Sequence, residues 1–181
     1  MKLTIKIKER LVTLTVLIFH LILFYLMSRV NVSVPPSVLS DQHLIAESVE
    51  ITMITGSIRK DGYVIKGSVP DQFCLGTGHI NFFKPKLQYL KERLEEVNLE
   101  MRNRGFNPST TIDLNEFQGR NCQCKSWKPS FQDSCIVRQR IIERLKSPMK
   151  AKTGFHKYYG KPIEDMDSFC EQLKKSKLHH V

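Results

Sequence analysis

The chain has 181 residues and 41% hydrophobic content, enough for one ordinary core and little more. Its formal net charge of +10 disfavours basic partners and points to a polyanion, since each Lys or Arg that neutralises a phosphate releases condensed counterion. Nucleic acid leads that class, with an anionic membrane surface as the simpler competitor.

Leu11 to Leu26 is a nearly unbroken apolar run behind the basic segment Lys6-Ile7-Lys8-Glu9-Arg10. At 16 residues it is shorter than the roughly 20 needed to span a bilayer, and no small-residue cleavage motif precedes Ser28. Three readings stay open: a start placed too far upstream, with Met27 the true first residue; a retained membrane anchor; or a removable leader. Residues 1 to 26 hold four bases and one acid, so +7 of the charge belongs to the rest of the chain. The expected organisation is a leader over 1–26, one domain over 27–163 and a tail over 164–181, to which the sequence assigns no role.

Ser40 is placed to cap a helix running from Asp41 toward Ile58, with Asp41 favourable in its first turn. Ala46, Val49, Met53 and Ile54 recur at spacings of three and four and predict its core face. His43, Glu47 and Glu50 follow the same spacing on a neighbouring face, which collects one imidazole and two carboxylates. On composition alone, that group reads as a solvated helix surface. A second helix is predicted from Pro85, with Leu87, Leu90, Leu94, Val97 and Met101 as its seam and Gly105 as its stop after Arg102 and Arg104. The third runs from Asp133 or Ser134 to Lys146. It buries Val137, Ile141 and Leu145 and carries Arg140 and Arg144 one turn apart, a pair able to straddle successive phosphates. No alternating pattern is long enough for a sheet, so the prediction is a mainly α, single compact domain of about three helices with irregular loops over 61–80 and 107–132.

The glycine loop Gly76-Thr77-Gly78-His79 is not a nucleotide-binding fingerprint, because Asn81 stands where a further glycine is needed and no Gly-Lys-Ser/Thr follows. It reads instead as a tight turn that either brings backbone N–H groups to a phosphate or positions His79. Five cysteines, Cys74, Cys122, Cys124, Cys135 and Cys170, are irregularly spaced, which argues against a secreted disulfide scaffold and for a reducing, intracellular setting. Cys122, Cys124 and Cys135 do not match the paired spacing of zinc sites, so no metal is expected. Lys157-Tyr158-Tyr159-Gly160-Lys161 interleaves rings with cations, a pattern suited either to core packing or to a DNA-facing groove.

Several of these segments together resemble one enzyme family in the right order: Met27-Ser28-Arg29-Val30-Asn31; Asp41-Gln42-His43-Leu44 with Ala46-Glu47; Leu75-Gly76-Thr77-Gly78-His79 with Phe82-Phe83; Arg104-Gly105-Phe106-Asn107; and Lys157 to Lys161. The family is the phage-type pyrimidine-dimer DNA glycosylases, also called endonuclease V, and the resemblance runs from Met27 to about Ile163. It implies a DNA repair glycosylase, with abasic-site lyase activity, acting on ultraviolet photodimers. A free amine on Ser28 would attack the sugar C1′ to form a Schiff base, and β-elimination would nick the strand. Glu50 matches the family's catalytic carboxylate and Arg29 an arginine that holds lesion phosphates.

The expected DNA contacts are Arg29, Gln42, His43, His79, Arg140, Arg144, Lys157, Tyr158, Tyr159 and Lys161. The expected partner is double-stranded DNA carrying photodimers or abasic sites, met by a monomer with no small-molecule cofactor; a membrane enters only if the leader is retained. The chain departs from the family at Val49, Thr52 and Met53, where relatives place arginine before the glutamate and a Pro-Arg pair after it. Losing those cations should weaken the hold on phosphates. The rival reading is a non-catalytic, membrane-tethered basic DNA-binding protein on the same scaffold.

Overall fold

The computed structural model describes residues 30–76, 78–120, 124–147 and 156–177. The apolar leader, Ser28, Arg29 and Cys122 lie outside the described residues. Those described form a mainly α fold: α1 (Asp41–Lys60), α2 (His79–Phe83), α3 (Leu87–Asn103), α4 (Phe131–Leu145) and α5 (Met166–Lys175). Two 3-10 turns, Pro36–Val38 and Leu114–Phe117, and a hairpin of β1 (Lys157–Tyr158) and β2 (Lys161–Pro162) complete it. No helix among the described residues is long and apolar enough to cross a membrane.

The core forms where α1 packs on α3. Leu44, Ile51, Ile54 and Ile58 of α1 are buried, as are Leu87, Leu90, Leu94 and Val97 of α3, the seam that its periodicity predicts. The Ser40 hydroxyl accepts the His43 N–H at 3.3 Å and starts α1 as expected. The predicted core face of α1 is corrected. Val49 and Met53 are exposed at 46% and 39%, while His43, Glu47 and Glu50 are buried. The inward arc is therefore partly polar, and the three groups read as a solvated face lie under the surface. Apolar spacing alone misplaces the stripe because these polar side chains occupy part of the buried arc.

The second helix starts at Leu87 rather than Pro85, with Lys86 paired instead in an isolated bridge to Cys124. Gly105, in the left-handed region at φ +80°, reverses the chain after Arg104. Arg104 does more than complement the helix end. Its guanidinium donates to Asp41 Oδ1 at 2.9 Å, Glu100 Oε1 at 2.7 Å and the Leu39 carbonyl at 2.8 Å, which ties the C-terminus of α3 to the start of α1. The third helix begins earlier than predicted, at Phe131. Ser130 and Asp133 form a reciprocal capping box there, each satisfying the other's backbone N–H.

The short helix α2 has too few residues to show a periodicity, and the tail helix α5, although amphipathic, lies in the segment to which the sequence reading assigns no role. Helix α5 packs on α4 and buries Phe169, Cys170 and Leu173. Arg138 of α4, itself buried, donates to the carbonyls of Leu173, Ser176 and Lys177 at 3.3, 3.0 and 3.2 Å, and so caps the C-terminus of α5.

Candidate active site

Val30 and Asn31 run beneath the surface against α1 and α2. Asn31 donates its backbone N–H to Glu47 Oε1 at 2.8 Å and its side-chain amide to Glu47 Oε2 at 2.9 Å. Arg93 of α3 meets the same carboxylate from the other side, Nε to Oε1 at 2.8 Å and Nη2 to Oε2 at 3.0 Å. A carboxylate has about four lone-pair sites, and four donors occupy them. Glu47 is thus committed to structure. Its charge and hydrogen bonds outweigh the burial that would otherwise pull Arg93 down, so the guanidinium is held firmly protonated. Both partners are fully buried, and together they clamp the chain one residue after Val30.

Glu50, one turn further along α1, has a different neighbour. Its Oε1 stands 4.0 Å from Nε2 of His79. Nδ1 of His79 lies 2.8 Å from the Cys74 carbonyl, which can only accept, so Nδ1 carries the proton. In the neutral ring Nε2 is then an acceptor, and it receives the Val30 N–H at 3.4 Å. Gly78, at φ +100°, makes the turn that delivers His79; a Cβ there would approach Pro70 Cγ to 2.9 Å. The glycine loop therefore serves to position His79, which is fully buried rather than presented to solvent.

The remaining predicted contacts divide between a cleft and a hairpin. Arg140 and Arg144 of α4 line a small cleft with Asn31, His43 and Leu75, so the two cations do face the side on which the Glu47 clamp lies. His43 is buried, stacked on His156 with ring centres 5.3 Å apart, and its Nδ1 lies 2.7 Å from the Ser40 hydroxyl. Gln42 accepts the Lys157 N–H at 2.8 Å and joins α1 to the hairpin.

At the hairpin turn, Tyr159 and Gly160 both have positive φ, the type I′ signature, and Asp41 accepts both N–H groups at 3.2 and 2.8 Å. The Tyr158 hydroxyl donates to the Ser37 carbonyl at 2.8 Å and that of Tyr159 to Glu100 at 2.9 Å, with the Arg104 guanidinium over both rings. The two tyrosines brace the scaffold, and the cations that flank them, Lys157 and Lys161, are exposed.

Asn31 and Arg93 are parts of this site that the sequence reading passed over. The signal for Arg93 is its place in the seam, three residues after Leu90 and four before Val97, where a charge needs a buried partner. Among the described residues, no group of three or more His, Cys, Asp or Glu side chains is arranged to hold a metal.

The described residues thus define a small helical protein whose basic cleft adjoins a buried carboxylate clamp and a carboxylate–histidine pair. Residues 27–114, just under half of the chain, match the model of the pyrimidine dimer DNA glycosylase family, and the match supports a DNA repair glycosylase. The matched span includes Asn31, Glu47, Glu50, His79, Arg93 and Arg104, and ends before α4 and the hairpin.

Proposed function

We propose that the protein is a pyrimidine-dimer DNA glycosylase with abasic-site lyase activity, working through the α-amine of Ser28 once that residue is the N-terminus. An α-amine has a reference pKa of about 7.7 to 8.0, so a useful neutral fraction exists near pH 7, unlike a lysine amine. The neutral nitrogen attacks C1′ of the damaged nucleotide: the C1′–N bond to the amine forms, and the glycosidic bond breaks with its electrons leaving on the base. Opening of the sugar ring gives the imine. Loss of a C2′ proton then expels the 3′ phosphate and nicks the strand. Glu50 is assigned to stabilise positive charge developing on the sugar and to assist the proton transfers.

The observation that carries this reading is the anchoring of Val30. It is fully buried, with its N–H on His79, whose Nε2 in turn stands 4.0 Å from Glu50. Ser28 is two residues upstream, and two residues reach at most about 7 Å. The Glu47–Arg93–Asn31 clamp fixes the point, beside His79, at which the described chain begins. The cleft lined by Arg140 and Arg144 is suited to the phosphates on either side of the extruded nucleotide.

Borohydride trapping tests the chemistry, because an imine is reducible to a stable covalent adduct. Protein beginning at Ser28 should be trapped on abasic-site duplex DNA, and protein beginning at Met1 and left unprocessed should not. Equal trapping of both forms would remove the N-terminal amine from the mechanism.

A further inference from the structure

We propose that the outer face of α1 is an apolar wedge that enters the base stack at the lesion. This rests on the reading of the protein as a DNA-lesion binder. Between Asp41 and Arg59 the only carboxylates or cations on α1 are Glu47 and Glu50, and both are buried. The solvent-facing side of the helix is therefore uncharged, in a chain whose net charge is +10. Along it Ile45, Val49 and Met53 are exposed at 38%, 46% and 39%, at positions i, i+4 and i+8. At 1.5 Å per residue the three form a ridge about 12 Å long, and Met53 projects only about 60° around the helix from Glu50. The ridge thus borders the carboxylate assigned to the chemistry.

Branched and thioether side chains offer no donor to a phosphate, so this face contributes nothing to counterion release. Against water it leaves a short apolar strip. Its place next to Glu50 names the occupant. Any DNA that brings a sugar to Glu50 also lies along Met53 and Val49. Extruding a nucleotide of either strand at the lesion opens a gap with bare base faces, and Ile, Val and Met are of the size and polarity that fill such gaps and hold the duplex kinked. The division of labour is then spatial: Arg140 and Arg144 across the cleft meet backbone, and the α1 ridge meets bases.

The test uses the full chain and needs binding only, so it is independent of the Ser28 amine. A duplex carrying a tetrahydrofuran abasic analogue, with 2-aminopurine beside it, reports unstacking as a rise in fluorescence, and anisotropy titrations at several salt concentrations report affinity. Binding of the unmodified protein should raise the fluorescence. In Val49→Ser/Met53→Ser, both changes at exposed positions, the melt should be unaltered and the salt slope unchanged. The fluorescence rise should be lost, and the preference for the abasic duplex over intact duplex should fall about tenfold, within the range that losing the burial of one such apolar side chain gives. A variant that keeps the rise and the preference overturns the wedge, as does one whose salt slope falls with its affinity. An effect that sedimentation traces to lost self-association assigns the ridge to a second copy of the chain and overturns it too. Failure of the unmodified protein to bind either duplex would defeat the DNA reading as a whole, whereas failed borohydride trapping with an intact fluorescence rise would defeat only the amine chemistry.

Discussion

Glu47 and Glu50 lie one turn apart on the same helix, are both buried, and belong to opposite kinds of environment. Around Glu47 every element is fixed: four donors from Asn31 and Arg93 fill the carboxylate, and the opposing charge is fully buried beside it. Around Glu50 the structure places His79 at 4.0 Å, the first buried residues of the described chain, and the exposed ridge of Val49 and Met53. The difference shows how one helix can give two identical side chains unlike surroundings, one of them fixed by rigid donors. A carboxylate whose lone pairs are all used by rigid donors is committed to the fold around it, so the proposed mechanism assigns the acid–base work to Glu50, at the edge of the ridge.

The largest expected effect would break this comparison at its structural end. Glu47→Ala or Arg93→Ala leaves one buried charge uncompensated and should cost about 3–5 kcal/mol of unfolding free energy in urea titrations. Glu47→Leu/Arg93→Met removes both charges and should recover much of that stability. It also removes the acceptor for Asn31, so the refolded double variant should still trap poorly with borohydride. If the single variants melt like the parent, Glu47 is not the fixed member of the pair. Glu50→Gln should behave in the opposite way: a melt close to that of the parent, with single-turnover cleavage of abasic-site DNA lowered by about 10²-fold or more. Cleavage at the parent rate would return the role to His43, the other member of the cluster, since the Glu47 lone pairs are taken by Asn31 and Arg93.

Most of the helical frame could be read from periodicity and capping. Ser40, the Leu87 to Met101 seam and Gly105 each act through local rules that need no tertiary information. The spacing of His43, Glu47 and Glu50 likewise brought the right groups to one side of α1. What it could not give was the direction of that side. Val49 and Met53 are as apolar as Ile51 and Ile54, and only the partners supplied by distant residues, Arg93 and Asn31 for Glu47 and His79 for Glu50, decide which arc turns inward. The hairpin was unreadable for another reason: strands of two residues carry no alternation, and their register is set by Asp41, which receives both turn N–H groups from over a hundred residues away. The tail helix is amphipathic by its own sequence, yet its place depends on Arg138, whose carbonyl partners no spacing rule connects.

A smaller effect separates the backbone-facing cations from the ridge. Arg140→Ala and Arg144→Ala should each lower the log–log salt slope of duplex binding by about 0.9, with little dependence on base sequence. The ridge variant should leave that slope alone. Leu94→Ala provides the scaffold control: it should cost about 2–5 kcal/mol through a core cavity and leave the salt slope of the folded fraction unchanged. Unaltered slopes in both arginine variants would mean that the cleft does not meet phosphate.

The smallest effect sharpens the comparison with a third carboxylate in the same bidentate geometry but partly open to water. Glu116, in the turn Leu114–Phe117, receives Arg59 Nε at 2.7 Å and Nη2 at 2.9 Å, and the Tyr63 hydroxyl at 2.7 Å. The hydrogen bond from Arg59, then that from Tyr63, holds its carboxyl down at about 2. A depressed value means that folding favours the charged form. The contribution is therefore complete above the ordinary carboxyl range near 4.3 and is lost as pH falls from there through about 2. Because the Glu116 side chain keeps 28% of its exposure and that of Arg59 39%, solvent screens the pair, and Glu116→Gln should cost no more than about 1 kcal/mol at pH 7. The gap between variant and parent melts should close as the pH is lowered toward 2. A cost at neutral pH as large as that of Glu47→Ala would show that burial is not what separates the two arginine clamps, and a gap that persists at pH 2 would show that charge on Glu116 is not its source.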